Sequence, residues 1–205
     1  MPPAAKLLSW YAAHRRHLPW RSPPGTAADP YHVWLSEIML QQTVVATVIP
    51  YYTKFLAAYP SIERLGAAPI DEVLGMWAGL GYYARARNLH ACAKAVAAQG
   101  GFPQTFEGLR ALPGIGPYTA NAVGAIAFGL PALPVDGNIE RVAARIFHIE
   151  APLPGAKSAI AAAAARLMED DTARAAPGDF AQALFDLAER LNDPPRSRLT
   201  ERPEF

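Results

Sequence analysis

The sequence lacks most of the features that announce a compartment or a partner. It has one cysteine, Cys92, in 205 residues, which excludes an internal disulfide and points to a reducing compartment. No apolar run approaches the roughly 18–20 residues of a membrane span. Near the start, Lys6, Ser9 and Tyr11 interrupt the apolar residues, so no signal-peptide core forms. A cytoplasmic protein with no membrane partner is the expectation. Surplus charge is missing too: the formal net charge is +1. Charge alone therefore does not point to nucleic acid, and any DNA surface has to come from locally placed Lys and Arg or from backbone N–H groups. The histidines give no metal site. His14 and His17 lie three apart with no Cys or acidic partner, so both read as surface residues and no metal is expected.

What is present is apolar residue, 51% of the chain, against 18% charged, the balance of a globular protein. Ala and Leu are abundant and β-branched alternation is scarce, so the fold is expected to be all-α. A first helix over 4–16 ends near Leu18-Pro19. After the small-residue loop 22–28, Asp29 and Pro30 read as the N-cap and first residue of a helix. In that helix Trp34, Ile38 and Val45 recur at helical spacing. A second helix is expected from Pro50, and two short ones open at Ser61 and Pro69. Gly79-Leu80-Gly81 is a break, and a longer helix runs from about Tyr83 to Ala98, ended by Gly100-Gly101. Further helices are expected at 106–111, 117–128, 136–148, 156–169 and 178–191, with a frayed tail after Asn192.

Three stretches carry chemistry. In Trp34-Leu35-Ser36-Glu37-Ile38-Met39-Leu40-Gln41-Gln42-Thr43, Glu37 sits one turn from Trp34. Apolar surroundings disfavour a carboxylate and raise its pKa, which suits a general acid; a solvated carboxylate on an amphipathic helix is the plainer reading. In Leu112-Pro113-Gly114-Ile115-Gly116-Pro117-Tyr118, Gly114 and Gly116 permit a sharp turn. The helix start that follows presents N–H groups suited to phosphate, although an ordinary helix–turn–helix connection would look the same. Asp136, in Pro134-Val135-Asp136-Gly137-Asn138, is a favoured N-cap whose capped carboxyl can also serve as a catalytic carboxylate.

Together with Leu18-Pro19-Trp20-Arg21 and Asp29-Pro30-Tyr31, these stretches closely resemble the adenine DNA glycosylases of the helix–hairpin–helix superfamily. The resemblance runs almost without gaps to about Leu187. It implies a two-lobed helical fold. One lobe, 23–130, holds Glu37 and the hairpin; the other joins 1–22 to 131–205 and holds Asp136, with an altered region after 191. The implied substrate is double-stranded DNA carrying adenine opposite 8-oxoguanine or guanine, and the implied enzyme is monomeric. Glu37 would protonate N7 of a flipped adenine, and Asp136 would stabilise the oxocarbenium-like sugar or attack it transiently. Asn138, in the same motif as Asp136, falls in the catalytic set. Tyr118 stands where endonuclease III-type relatives carry a Schiff-base lysine, so the enzyme would be monofunctional. The resemblance suggests that Tyr118 hydrogen-bonds the aspartate, while a packing role is the plainer reading.

By the same resemblance Gln41, Gln42 and Thr43 would meet the strand opposite the adenine. Leu80 and Tyr82 sit at a break where a side chain can wedge into the base stack. Arg85 and Arg87 could face phosphates, although exposed arginines usually just solvate a helix. Trp20, Arg21 and Gln182 would wall the adenine pocket. Relatives also bind a 4Fe-4S cluster through four cysteines; here the first three positions fall at Asn192, Leu199 and Arg202, so no cofactor is expected. They carry a further C-terminal domain that contacts the opposite base. A chain ending at Phe205 is therefore expected to have a weakened preference for 8-oxoguanine. Three rivals remain at this stage: a pyrimidine-lesion glycosylase–lyase, a thymine-mismatch glycosylase, and an inactive DNA-binding remnant.

Overall fold

A computed structural model describes residues 3–23, 26–152 and 154–192, and those residues contain helices and turns but no strand. The helices are α1 (Pro3–His14), α2 (Pro30–Leu40), α3 (Val45–Ala58), α4 (Ile62–Ala67), α5 (Ile70–Trp77), α6 (Ala84–Ala98), α7 (Phe106–Arg110) and α8 (Pro117–Phe128). They continue with α9 (Gly137–Ile146), α10 (Lys157–Arg166), α11 (Asp171–Ala175) and α12 (Pro177–Asn192). The tail beyond Asn192, with Leu199 and Arg202, lies outside the described residues.

Local chemistry sets most boundaries. Asp29 accepts the Tyr31 N–H at 2.7 Å and Pro30 opens α2. Ser61 and Thr105 cap α4 and α7 in the same manner. Gly129, at φ 65°, closes α8 in the left-handed region that glycine adopts at little cost. Three expectations are corrected. Val45 does not extend the Trp34–Ile38 stripe, because α2 stops at Leu40 and Gln42 adopts φ 56°. The next helix starts at Val45 rather than Pro50; Pro50 lies inside α3. The bond it cannot make would fall on the carbonyl of Ala46, an exposed residue that water can reach. The segment expected as one helix over 156–169 is α10 followed by a 3₁₀ turn, Leu167–Glu169, and the short α11 comes after it.

The apolar interior is not one cluster. The larger part gathers Trp34, Leu35, Met39, Phe55, Trp77, Leu89 and Val123, from α2 through α8. A second gathers Ala4, Leu133, Ile139, Val142, Phe180 and Leu184, from α1, the connection before α9, α9 and α12. Trp20, although it precedes α2, belongs to the larger cluster and meets Tyr52 edge-on at 5.3 Å. The α12 helix bridges the two. A Cβ on Gly178 would come within 2.8 Å of the Ala125 carbonyl oxygen, so only glycine lets α12 lie directly against the backbone of α8. Gln182, Phe185 and Glu189 of α12 thus line one cavity with Glu37 and Leu40 of α2 and Tyr118 of α8.

Candidate functional site

Several distant pieces of chain converge on one cavity of about 460 Å³. Ser36, Glu37 and Leu40 come from α2, Tyr118 from α8, Asp136 and Asn138 from the start of α9, and Gln182 and Phe185 from α12. Trp20 and Arg21 close it from the connection after α1. The catalytic residues and pocket walls expected from sequence all line this space.

The two carboxyl groups sit in contrasting settings. Glu37 is buried, and burial pushes its pKa up to about 7. A hydrogen bond from the Tyr118 hydroxyl works against that rise, the Asp136 charge adds to it, and the Arg21 charge opposes it. Asp136 is half-buried and is the N-cap of α9. Its Oδ1 accepts the backbone N–H groups of Asn138 at 3.0 Å and Ile139 at 2.9 Å, and its Oδ2 accepts the Asn138 side-chain amide at 3.0 Å. Three N–H donors thus hold a carboxylate at the positive end of a helix and facing the cavity. The Asn138 side chain thus holds the far oxygen of Asp136.

Tyr118 stands between the two carboxyl groups' influences. Its phenol lines the cavity with both carboxyl groups, and the charges of Glu37 and Asp136 both act on it. Burial pushes the phenol well above its usual range, with the charges of Glu37 and Asp136 adding to the rise. It therefore keeps its proton at any ordinary pH.

Arg21 walls the cavity as expected, held by a partner that the sequence did not reveal. Its Nη1 and Nη2 donate to Asp186 at 2.7 and 2.9 Å, while Arg16 donates Nε at 2.6 Å and its backbone N–H at 3.0 Å. Burial would raise the pKa of Asp186, but the bonds and charge of Arg21 and those of Arg16 outweigh it and hold the carboxyl below its ordinary value. This pin fastens the connection after α1 to α12. Asp186 gave no sequence signal, because an acid between alanines and leucines reads as an exposed helix position. Gln182 lines the cavity and donates its side-chain amide to the Gly178 carbonyl at 3.2 Å.

The residues expected to meet DNA divide. Gln42 and Tyr82 are exposed, and both have positive φ, 56° and 50°. Gln41 turns inward, its amide 3.4 Å from the Thr119 hydroxyl, and the Thr43 hydroxyl donates to the Gln41 carbonyl at 3.3 Å. Leu80 is not a free wedge: it is 5% exposed and packs in the larger cluster with Trp77, while Tyr82 at 62% exposure projects instead. Gly79 and Gly81 both have positive φ, so the sequence showed the break but not which side chain leaves it. Arg85 is also corrected. It is buried against backbone carbonyls, whereas Arg87 is exposed. In the hairpin, Gly114 has φ 73°, and a Cβ there would come within 2.6 Å of the Asn88 Cβ. Around Gly116, at the N-cap of α8, a Cβ would meet nothing within 4 Å. The turn therefore closes tightly on α6 and leaves the start of α8 open to a ligand.

The described residues offer no set of four thiolates. The one thiol, Cys92, is buried in α6, and burial pushes its pKa up to about 12. Among the described residues no group of three or more His, Cys, Asp or Glu can hold a metal ion. The Asn192 side chain, Leu199 and Arg202 lie outside that set. Nor is any helix among the described residues long and apolar enough to cross a membrane.

Comparison with known proteins follows the same lines. The family described as HhH-GPD superfamily base excision DNA repair protein matches residues 35–170. The chain is 41% identical over 204 residues to the adenine DNA glycosylase of Homo sapiens, covering 96% of this chain and 37% of that protein. It is 45% identical over 146 residues to the one from Buchnera aphidicola, covering 70% of this chain and 40% of that protein. The chain thus spans well under half the length of these relatives. A thermostable thymine-DNA glycosylase has a similar structure, with TM-score 0.73 and 29% identity over 90% of this chain and 83% of that one. A non-covalent endonuclease III–DNA complex shares the fold, with TM-score 0.67 and 21% identity over 89% of this chain and 81% of that one.

Proposed function

The chain belongs to the HhH-GPD superfamily of base excision DNA repair proteins, and from that premise we propose that it is a monofunctional adenine DNA glycosylase acting on adenine opposite 8-oxoguanine or guanine. The observation that carries the proposal is the pair of unlike carboxyl groups on one cavity. Glu37 is buried with its pKa pushed up to about 7, and Asp136 is held by three N–H donors. Cleaving a glycosidic bond needs one protonated carboxyl and one carboxylate, set apart by their environments.

In this reading the adenine leaves the duplex stack and enters the cavity, walled by Trp20, Arg21 and Gln182. Glu37 delivers its proton to N7, and the purine becomes a neutral leaving group. Positive charge develops on the sugar and is met by the Asp136 carboxylate. Water then completes hydrolysis. The Tyr118 hydroxyl holds Glu37 in place. It cannot form an imine, so strand cleavage by a lyase step is not part of the reaction. Gly114 and Gly116 grip a phosphate at the open start of α8, which positions the duplex without reading sequence. Gln42, Thr43 and Tyr82 approach the base stack. The lobes meet along the cavity, one over 23–130 and the other over 1–22 with 131–205, and no four-thiolate cluster takes part.

A thymine-mismatch glycosylase is the second reading, because a structure of that name is similar over most of both chains. Incubation of the protein with A·8-oxoguanine, A·G, T·G and abasic duplexes separates the two. Release of adenine from the first two supports the proposal. Release of thymine alone, or cleavage of the abasic strand, overturns it.

A further inference from the structure

Arg85 lies beneath the surface formed by Gln42 and Tyr82. It sits in the first turn of α6 with its guanidinium buried. One edge of that group addresses the carbonyl end of α2: Nη1 donates to the carbonyls of Ile38 and Met39 at 3.1 Å each and to that of Gln41 at 2.5 Å. The other edge addresses the break after α5: Nη2 donates to the Leu80 carbonyl at 2.9 Å, the Gly81 carbonyl at 3.4 Å and the Thr43 hydroxyl at 3.3 Å. Its flat face lies over Trp77, 5.2 Å from that ring centre, and the exposed Tyr82 ring lies 5.5 Å away.

Two of the five carbonyls taken up by Arg85 immediately precede the two strained residues. Gln41 precedes Gln42, and Gly81 precedes Tyr82. A non-glycine residue in the left-handed region costs on the order of 1 kcal/mol and persists only where the surroundings hold it. A planar guanidinium with donors on two edges can hold two loops at once, and its charge suits the carbonyl end of a helix. A lysine ammonium, which is a single point, cannot span both.

We propose that Arg85 is a positioning residue, a clamp that fixes the tips Gln42 and Tyr82 relative to each other and to Glu37 on the same α2 helix, so that opening of the base stack and delivery of the proton occur in one fixed geometry. The proposal rests on the glycosylase reading above. It assigns Arg85 no phosphate.

Two measurements test it. The first compares Arg85→Lys with the unaltered protein for adenine release from A·8-oxoguanine duplex, at saturating protein under single turnover, and for duplex affinity across a salt series. A phosphate contact survives the change to lysine. A clamp does not, and displacing reacting groups by about an ångström costs on the order of 100-fold in rate. The expected result is a fall of that order in the saturated rate, with the slope of affinity against salt unchanged and the melting temperature within about 5 °C of the unaltered protein. A saturated rate within about threefold of the unaltered protein overturns the proposal. So does collapse of the fold, which would make Arg85 a stability element. The second measurement needs no variant. Phenylglyoxal labelling, read by mass spectrometry with and without duplex, should modify Arg87 and spare Arg85 in both states. Arg85 labelled in the free protein and protected by duplex would make it a phosphate contact. If the unaltered protein releases no base from any duplex, the glycosylase reading fails, while the labelling result still decides whether Arg85 is a buried clamp.

Discussion

Replacing Glu37 with glutamine should stabilise the protein at alkaline pH and leave it unchanged in acid. The folded protein raises this carboxyl from an ordinary value of 4.5 to about 7, first through burial. A group whose folded pKa is raised binds its proton more tightly in the folded state. Its contribution is therefore fully present below pH 4.5 and is lost as pH rises through about 7. A rise of that size corresponds to roughly 3 kcal/mol between the two protonation states. Glutamine has the shape of the protonated acid and never ionises. At pH 4 the two proteins should melt together. At pH 8 Glu37→Gln should be more stable by up to ~3 kcal/mol, and for a chain of this size each kcal/mol moves Tm by about 2–4 °C. Thermal melts from pH 4 to 8 read the difference directly, and taking variant against parent cancels the other titrating groups. Equal melting temperatures at pH 8, or a less stable variant there, would show that Glu37 is not the buried acid on which the mechanism depends.

Other consequences are as direct. Asp136→Asn keeps an N-cap side chain, so stability should change by less than about 1 kcal/mol while adenine release falls by orders of magnitude; Asp136→Ala should add a stability loss of roughly 0.5–2 kcal/mol, both read by melting and single-turnover assay. Borohydride should trap no covalent complex with A·8-oxoguanine duplex, because Tyr118 offers no amine; efficient trapping by the unaltered protein would assign an imine to some lysine. The purified 205-residue chain, with Cys92 as its one thiol, should be colourless and free of stoichiometric iron; a brown protein holding about four irons per chain would contradict the donor-set argument.

What could be read from the sequence followed from local chemistry. Asp29, Ser61 and Asp136 cap their own helices, and Gly100 with Gly101 ends α6, because capping and positive φ involve residues only a few positions apart. Glu37 stood out because a charge one turn from Trp34 conflicts with an apolar stripe. What stayed hidden depends on distant partners. Arg85 read as a surface cation until α2 and the break after α5 enclosed it. Leu80 and Tyr82 are separated by one glycine, and only the packing around Trp77 decides which is buried. Asp186 meets Arg16 and Arg21 across almost the whole length of the chain. The placing of Tyr118 beside both Glu37 and Asp136 likewise depends on how α8 lies against α2.

On the proposed function, Glu37 gives its proton to a flipped adenine in a cavity shared with Asp136, a step open to direct measurement. Its most direct test is single-turnover adenine release from A·8-oxoguanine duplex at pH 6, for the unaltered protein beside Glu37→Gln, with duplex binding measured in the same buffer. The unaltered protein should release adenine, and the variant should bind the duplex with similar affinity and release none. Substantial release by Glu37→Gln, or none by a folded, duplex-binding parent, would contradict it.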